Sequence, residues 1–190
     1  MSHLVPTRLL RSLAAVVLTV ALATGATACS GGSEEGSSSP TGSPAELADA
    51  ALSAGLTAHA AGDLDGATAD YNKVLEYDPT NKYAFYNLAL IDSANGNDGL
   101  AEAKYRLALE SDPDYEPALF NLAILRTNDD DPDEAMDLYE RAVEIEPGDA
   151  SAWLNLGLLQ RASGKKKQGN KSVMKALALD PDLRDPQQMK

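Results

Sequence analysis

The 190-residue chain has one cysteine, two histidines, one tryptophan and two phenylalanines. A lone cysteine closes no disulfide within a monomer, and with two histidines it cannot assemble a Cys/His zinc site. Any Ser/His or Cys/His catalytic arrangement would have to run through His3 or His59, and the sequence holds no nucleophile elbow or phosphate-binding loop. No catalytic residue, metal site or cofactor is therefore expected, and the chain reads as a non-enzyme. Basic residues are also scarce. Sixteen Lys and Arg stand against 29 Asp and Glu, a net charge of −13 that disfavours binding to nucleic acid. Nor is there an apolar run of the roughly 20 residues that a membrane-spanning helix needs.

What is present begins at the N-terminus. The first 28 residues contain no acid, carry Arg8 and Arg11 ahead of the apolar stretch from Leu13 to Ala23, and end in Ala26-Thr27-Ala28. This is the layout of a secretory signal: charged region, short apolar region, small-residue cleavage site. The only cysteine follows directly, and Ala26-Thr27-Ala28-Cys29 resembles the lipobox of bacterial lipoproteins. The resemblance implies that residues 1–28 are removed as a signal peptide and that the Cys29 thiol carries lipid. It also implies a location on the extracytoplasmic face of the cell membrane, in a bacterial envelope. Ala26 stands where a lipobox usually has Leu, and the same three residues satisfy ordinary signal peptidase. A secreted, non-lipidated chain with an unpaired thiol is the alternative outcome. An exposed thiol is a liability in an oxidising compartment, which favours the lipidated form.

Residues 29–43 follow as a tether. Twelve of the fifteen residues from Ser30 to Pro44 are Ser, Gly or Pro, so the segment has no apolar side chain with which to repay its ordering entropy. It ends at a helix start: Ser43 as N-cap, Pro44 at the first helical position and Glu46 to complete a capping box.

From there to the C-terminus, residues 44–190, the chain repeats itself. Asp78-Pro79, Asp112-Pro113, Glu146-Pro147 and Asp180-Pro181 recur every 34 residues without insertion or deletion. The copies align as Phe85-x-x-Leu88-Ala89 with Ala101 and Tyr105, Leu119-x-x-Leu122-Ala123 with Ala135 and Tyr139, and Trp153-x-x-Leu156-Gly157. The first copy starts weakly, at Ala51-x-x-Ala54-Gly55, and recovers with Ala67 and Tyr71. This 34-residue helix-pair pattern resembles the tetratricopeptide repeat (TPR). The resemblance implies an all-α fold, a right-handed superhelical solenoid of four helix-turn-helix repeats, at about 48–81, 82–115, 116–149 and 150–183.

The columns have a packing logic. Small residues at Gly55, Ala89, Ala123 and Gly157, and at Ala67, Ala101, Ala135 and Gly169, let two antiparallel helices approach, while Tyr71, Tyr105 and Tyr139 fill space between hairpins. Asp63, Asn97 and Asp131 are placed to cap the second helices. Trp153 is expected to bury most of its side chain between the third and fourth hairpins. Val173 and Gly169 break the pattern in the last copy, and no capping helix follows Pro181, so this hairpin is expected to be the least stable.

Family resemblance further implies a concave groove, lined by the first helix of each pair, that holds a peptide or helix of a protein partner. In that register Asn87, Asn121 and Asn155 form one column of amides, able to donate to and accept from an extended backbone. Tyr86, Phe120 and Leu154, with Leu52, flank the column, and Leu56, Leu90, Ile124 and Leu158 lie one turn further on. Charge is uneven along the array. Residues 48–149 hold 23 acids and 6 bases, whereas Arg161 and five lysines populate 150–179 with no acid. Lys167, Lys171 and Lys175 form one stripe on the outer helix, read either as a solvated face or as a contact for an anionic surface. The functional expectation is a membrane-anchored scaffold binding a protein partner. Its alternatives are a secreted, non-lipidated adaptor and an accessory subunit of a cell-envelope enzyme complex.

Overall fold

The computed structural model describes residues 42–129 and 131–185. The expected signal peptide, Cys29 and nearly all of the tether lie outside the described residues, as do Asp130 and residues 186–190.

The described residues form helices and no strand. In order they are α1 (Pro44–Ala60), α2 (Leu64–Tyr77), α3 (Lys82–Ala94), α4 (Asp98–Ser111), α5 (Glu116–Asn128), α6 (Pro132–Ile145), α7 (Ala150–Ala162) and α8 (Lys166–Leu179). They pair as four antiparallel hairpins in a TPR solenoid. α1 starts at Pro44, one turn ahead of the position the period assigns it, because Ser43 and Glu46 close the capping box: Glu46 N donates to Ser43 Oγ at 3.3 Å and Ser43 N to Glu46 Oε2 at 2.8 Å. These bonds hold the Glu46 carboxyl below its ordinary range.

Two turns recur and set the register. Within each hairpin the chain reverses through an N–H that bonds a carbonyl five residues back: Asp63 to Ala58, Asn97 to Asp92, Asp131 to Arg126 and Lys165 to Gln160, all within 2.8–3.0 Å. This helix-ending bond wants a left-handed residue just before it. Gly62, Gly96 and Gly164 supply that conformation, with φ of 80°, 76° and 82°. After each hairpin, the acid before the proline accepts from the N–H of the residue that follows the proline. Asp78, Asp112, Glu146 and Asp180 do so at 3.2, 3.1, 3.3 and 2.9 Å. The repeated acid–proline step is therefore one turn built four times.

Second-helix caps only partly follow expectation. Asp63 and Asp131 accept from Gly66 N and Glu134 N at 2.9 and 3.2 Å, but Asn97 caps α4 with no side-chain bond. Pro132 takes the first position of α6 behind the Asp131 cap, and Asp129 accepts from Arg126 Nη2 at 2.6 Å.

The core lies between helices of small-residue columns. Ala67, Ala89, Ala101, Ala123 and Ala135 are fully buried, as is Tyr71, and Tyr105 and Tyr139 nearly so. A Cβ added at Gly55 would stand 2.7 Å from the Tyr71 ring, so the tyrosine occupies the room that the glycine leaves. In the last hairpin two substitutions act together. Gly157 and Gly169 face each other so closely that a Cβ on Gly169 would meet Gly157 O at 2.5 Å, and buried Val173 packs where the other copies hold tyrosine.

That hairpin also carries a cap that no local sequence signal marks. Residues 181–185 fold back so that Arg161 Nη1 donates to both Asp185 oxygens, at 3.0 and 2.8 Å, while Arg161 Nε donates to Asn170 Oδ1 at 2.7 Å. Trp153 is partly buried against the core and donates through Nε1 to Pro147 O at 3.1 Å.

Candidate functional site

Successive hairpins meet mainly where a second helix packs on the next first helix, and side chains also link first helix to first helix and second to second, so that the first helices form one layer and the second helices another. Across the first layer, Asn121 of α5 donates to the Tyr86 hydroxyl of α3 at 3.3 Å, and the Tyr83 and Tyr115 rings meet edge to face at 5.7 Å. Across the second, Arg106 of α4 pairs with Glu134 of α6 at 2.7 Å. The residues expected to line a groove therefore fall on one layer, in register.

The amide column is partly exposed at all three positions. Each amide nitrogen donates at least one hydrogen bond within the protein, and Asn121 donates two. Asn87 Nδ2 donates to Tyr83 O at 2.8 Å, Asn121 Nδ2 to Pro117 O at 2.7 Å as well as to Tyr86, and Asn155 Nδ2 to the Tyr139 hydroxyl at 3.2 Å. These bonds orient the amides, and those from Asn121 to Tyr86 and from Asn155 to Tyr139 join neighbouring helices, so Asn121 is part of the architecture and not merely a surface group. Among the described residues, the amide carbonyls of Asn87 and Asn155 accept no hydrogen bond, which leaves acceptors in the column.

Of the apolar residues, Tyr86 and Leu154 are half-buried on this layer, as are Leu52, Leu90, Ile124 and Leu158. Leu56 is 48% exposed. Phe120 departs from expectation. It is only 3% exposed, with its ring edge to face on Tyr139 at 5.6 Å, so it supports the layer as core and offers little surface of its own.

Charged side chains fix the edges of the array. Lys82 Nζ binds Asp112 Oδ2 at 2.5 Å and stands 5.1 Å from the centroids of both Tyr83 and Tyr115. The pair raises the lysine and holds the Asp112 carboxyl below its usual range. Burial pushes the Tyr71 hydroxyl up to about 12, helped by the nearby Asp70. Glu102 and Arg106 of α4, Glu134 of α6 and Arg126 of α5 form a connected set that links the two layers. Buried Gln160 accepts from Ser172 Oγ at 2.8 Å and donates to Glu140 at 3.3 Å, tying α7 to α8 and to α6. None of these inter-helix pairs was evident in the sequence, because each joins residues on different helices.

Lys167, Lys171 and Lys175 are exposed along α8, as the outer-helix placement required. No group of three or more His, Cys, Asp or Glu side chains is disposed to hold a metal ion among the described residues. Among the same residues, no helix is long and apolar enough to cross a membrane.

Comparison with known proteins agrees with this geometry. A TPR repeat model matches residues 55–96, and tetratricopeptide repeat models match 124–159 and 150–183. No curated protein matches the sequence. Among solved structures, one described as the crystal structure of MamA is similar, with a TM-score of 0.63 and 23% identity over 70% of this chain and 78% of its own. Another, from a functional characterization of Pseudomonas aeruginosa pilF, gives a TM-score of 0.65 and 27% identity over 74% of this chain. This chain spans 64% of the length of that protein. The in-phase helix pairs, their shared turns and these repeat matches make the chain a tetratricopeptide-repeat protein.

Proposed function

We propose that the protein is a membrane-anchored scaffold of a bacterial envelope, held on the extracytoplasmic face through lipid on Cys29, and that its first-helix layer binds a peptide or helix of a partner protein. The observation that carries the binding site is the register of that layer. Half-buried apolar side chains at Leu90, Ile124 and Leu158 recur every 34 residues, and those at Leu52, Tyr86 and Leu154 keep the same register on either side of buried Phe120, beside Asn87, Asn121 and Asn155. A strip of this kind suits an extended or helical apolar ligand. Side chains give it contact area, and amide acceptors give it a backbone N–H to hold. Phe120 acts from beneath, by fixing Tyr139, whose hydroxyl receives Asn155.

Two measurements test the two halves. Intact mass of the mature protein should give a chain beginning at Cys29 with added lipid, and Cys29→Ala should block processing. An unmodified cysteine, or wild-type protein released into the medium, would instead mark a secreted adaptor. For the binding face, native capture from the envelope is compared between the wild type, Leu56→Glu, Leu158→Glu and Glu144→Lys. Loss of the wild-type partner in the two leucine variants, with retention in the variant at exposed Glu144 of α6, is the expected result.

A further inference from the structure

The last hairpin differs in charge from the rest of the array. Between residues 150 and 179 there are six basic residues and no acid, whereas 23 acids lie between 48 and 149. Most cations upstream are already engaged: Lys82, Lys104, Arg106 and Arg126 all sit in ion pairs, and Arg161 binds Asp185. Lys166, Lys167, Lys171 and Lys175 are exposed and make no ion pair among the described residues.

Their position on the solenoid follows from the repeat. Lys167, Lys171 and Lys175 correspond, 34 residues on, to Asp133, Asp137 and Arg141 of α6, which stay exposed although another hairpin stacks behind them. The stripe is therefore on the outer surface and not in a stacking interface. Over eight residues it runs about 12 Å along the helix. Met174 corresponds to Glu140, which is partly covered and bonded to Gln160 of the next hairpin. Among the described residues no helix packs behind α8, and Met174 is 70% exposed, three residues from Lys171 and seven from Lys167 on the same side.

We propose that this face of α8 docks on anionic phospholipid headgroups, with the lysines at phosphate level and Met174 inserted between them. Flat geometry favours a lipid surface over a peptide. The lysines stand on one helix, and a pocket of about 450 Å³ at Arg106 and Glu134 and one of about 340 Å³ at Asp78 and Lys82 include no residue of α8. Several lysines on a helical face with an apolar side chain among them match the plane of charge and shallow apolar layer of a membrane interface. The acidic hairpins before it are repelled by the same surface, which orients the array with its C-terminal hairpin towards the membrane. This docking stands without lipid on Cys29, and the test removes that lipid.

The mature chain, residues 29–190 carrying Cys29→Ser, is titrated with vesicles of phosphatidylcholine alone and of phosphatidylcholine with phosphatidylglycerol, at low and physiological salt. Partitioning should be stronger on the anionic vesicles and fall with salt. Lys167→Gln, Lys171→Gln and Lys175→Gln combined should lower the anionic preference by about fivefold per lysine, on the order of a hundredfold in all. The corresponding triple Arg variant should keep it, Met174→Ala should lower it severalfold, and Lys73→Gln on α2 should not change it. Equal partitioning into both vesicle types, or a folded triple Gln variant that binds like its parent, overturns the proposal. So does salt-sensitive self-association in solution that depends on the lysines without any vesicle preference, since that would give the stripe to the acidic hairpins of a second copy.

Discussion

Arg161 and Asp185 lie 24 residues apart in sequence and form an ion pair in which one guanidinium nitrogen reaches both carboxylate oxygens, with side-chain exposures of 11% and 2%. Removing one member of a buried pair leaves the other charge uncompensated, at a cost of about 3 to 5 kcal/mol. Asp185→Ala should therefore loosen α7 and α8 and leave α1 to α4 protected, because stability in a repeat array passes between neighbours. Hydrogen exchange resolved by segment checks this. Uniform loss of protection from α1 to α8 would contradict it.

The glycine pair in the same hairpin gives a second expectation. Gly169→Ala places a Cβ 2.5 Å from Gly157 O and 2.8 Å from Arg161 N, both backbone atoms that cannot turn aside. Destabilisation of about 1 to 3 kcal/mol or more should follow. Gly99→Ala is the opposite case: a helical glycine with nothing within 4 Å of the added carbon. It should stabilise by about 0.4 to 1 kcal/mol. Denaturant midpoints of the two variants are expected to move in opposite directions.

Much of this architecture was written in local sequence. The acid–proline spacing gave the three inter-hairpin turns and the turn after α8, because each is closed by its own acid, within two residues. Ser43, Pro44 and Glu46 gave the start of α1 for the same reason: the bonds are local. What escaped depends on groups far apart. The Arg161–Asp185 cap needs a chain reversal after the last helix, and the Asn121–Tyr86 bond needs two helices set side by side. Phe120 was misplaced because a 34-residue column assigns a helix face but not depth. Its copies at Tyr86 and Leu154 remain partly exposed while its own ring is buried on Tyr139.

Alkaline pH should weaken the first hairpin. The Tyr71 hydroxyl is raised from 10.0 to about 12 by burial, so the folded chain keeps its proton where the unfolded chain loses it. A raised value contributes stability that is complete below the unfolded pKa and is lost as pH rises through the folded one. The window is therefore pH 10 to 12, and the loss is on the order of 2 to 3 kcal/mol. Tyr71→Phe should remove this part of the alkaline decline. Parallel stability–pH curves for the two proteins would contradict the assignment.

Asn121 has two roles to separate. Its side chain links α5 to Tyr86 of α3 and to Pro117 O, so Asn121→Ala should cost about 0.5 to 1.5 kcal/mol of stability. Tyr86→Phe removes the same inter-helix bond, and the double variant should be less destabilised than the sum of the singles. If the amide also meets the partner, Asn121→Ala should weaken partner binding by about 1 to 3 kcal/mol in protein that is still fully folded. A thermal melt beside each binding isotherm distinguishes the two effects.

The central claim is that the first-helix layer holds a protein partner, and site-directed photocrosslinking in the native envelope tests it most directly. A photoreactive residue at Leu56, Asn87 or Leu158 should give one common crosslinked partner, because the three positions share a layer. The same probe at Asp137 or Glu144, exposed on the second layer, should give none of it. A partner captured from Asp137 and Glu144 but not from the first-helix positions would place binding on the opposite surface and contradict the account.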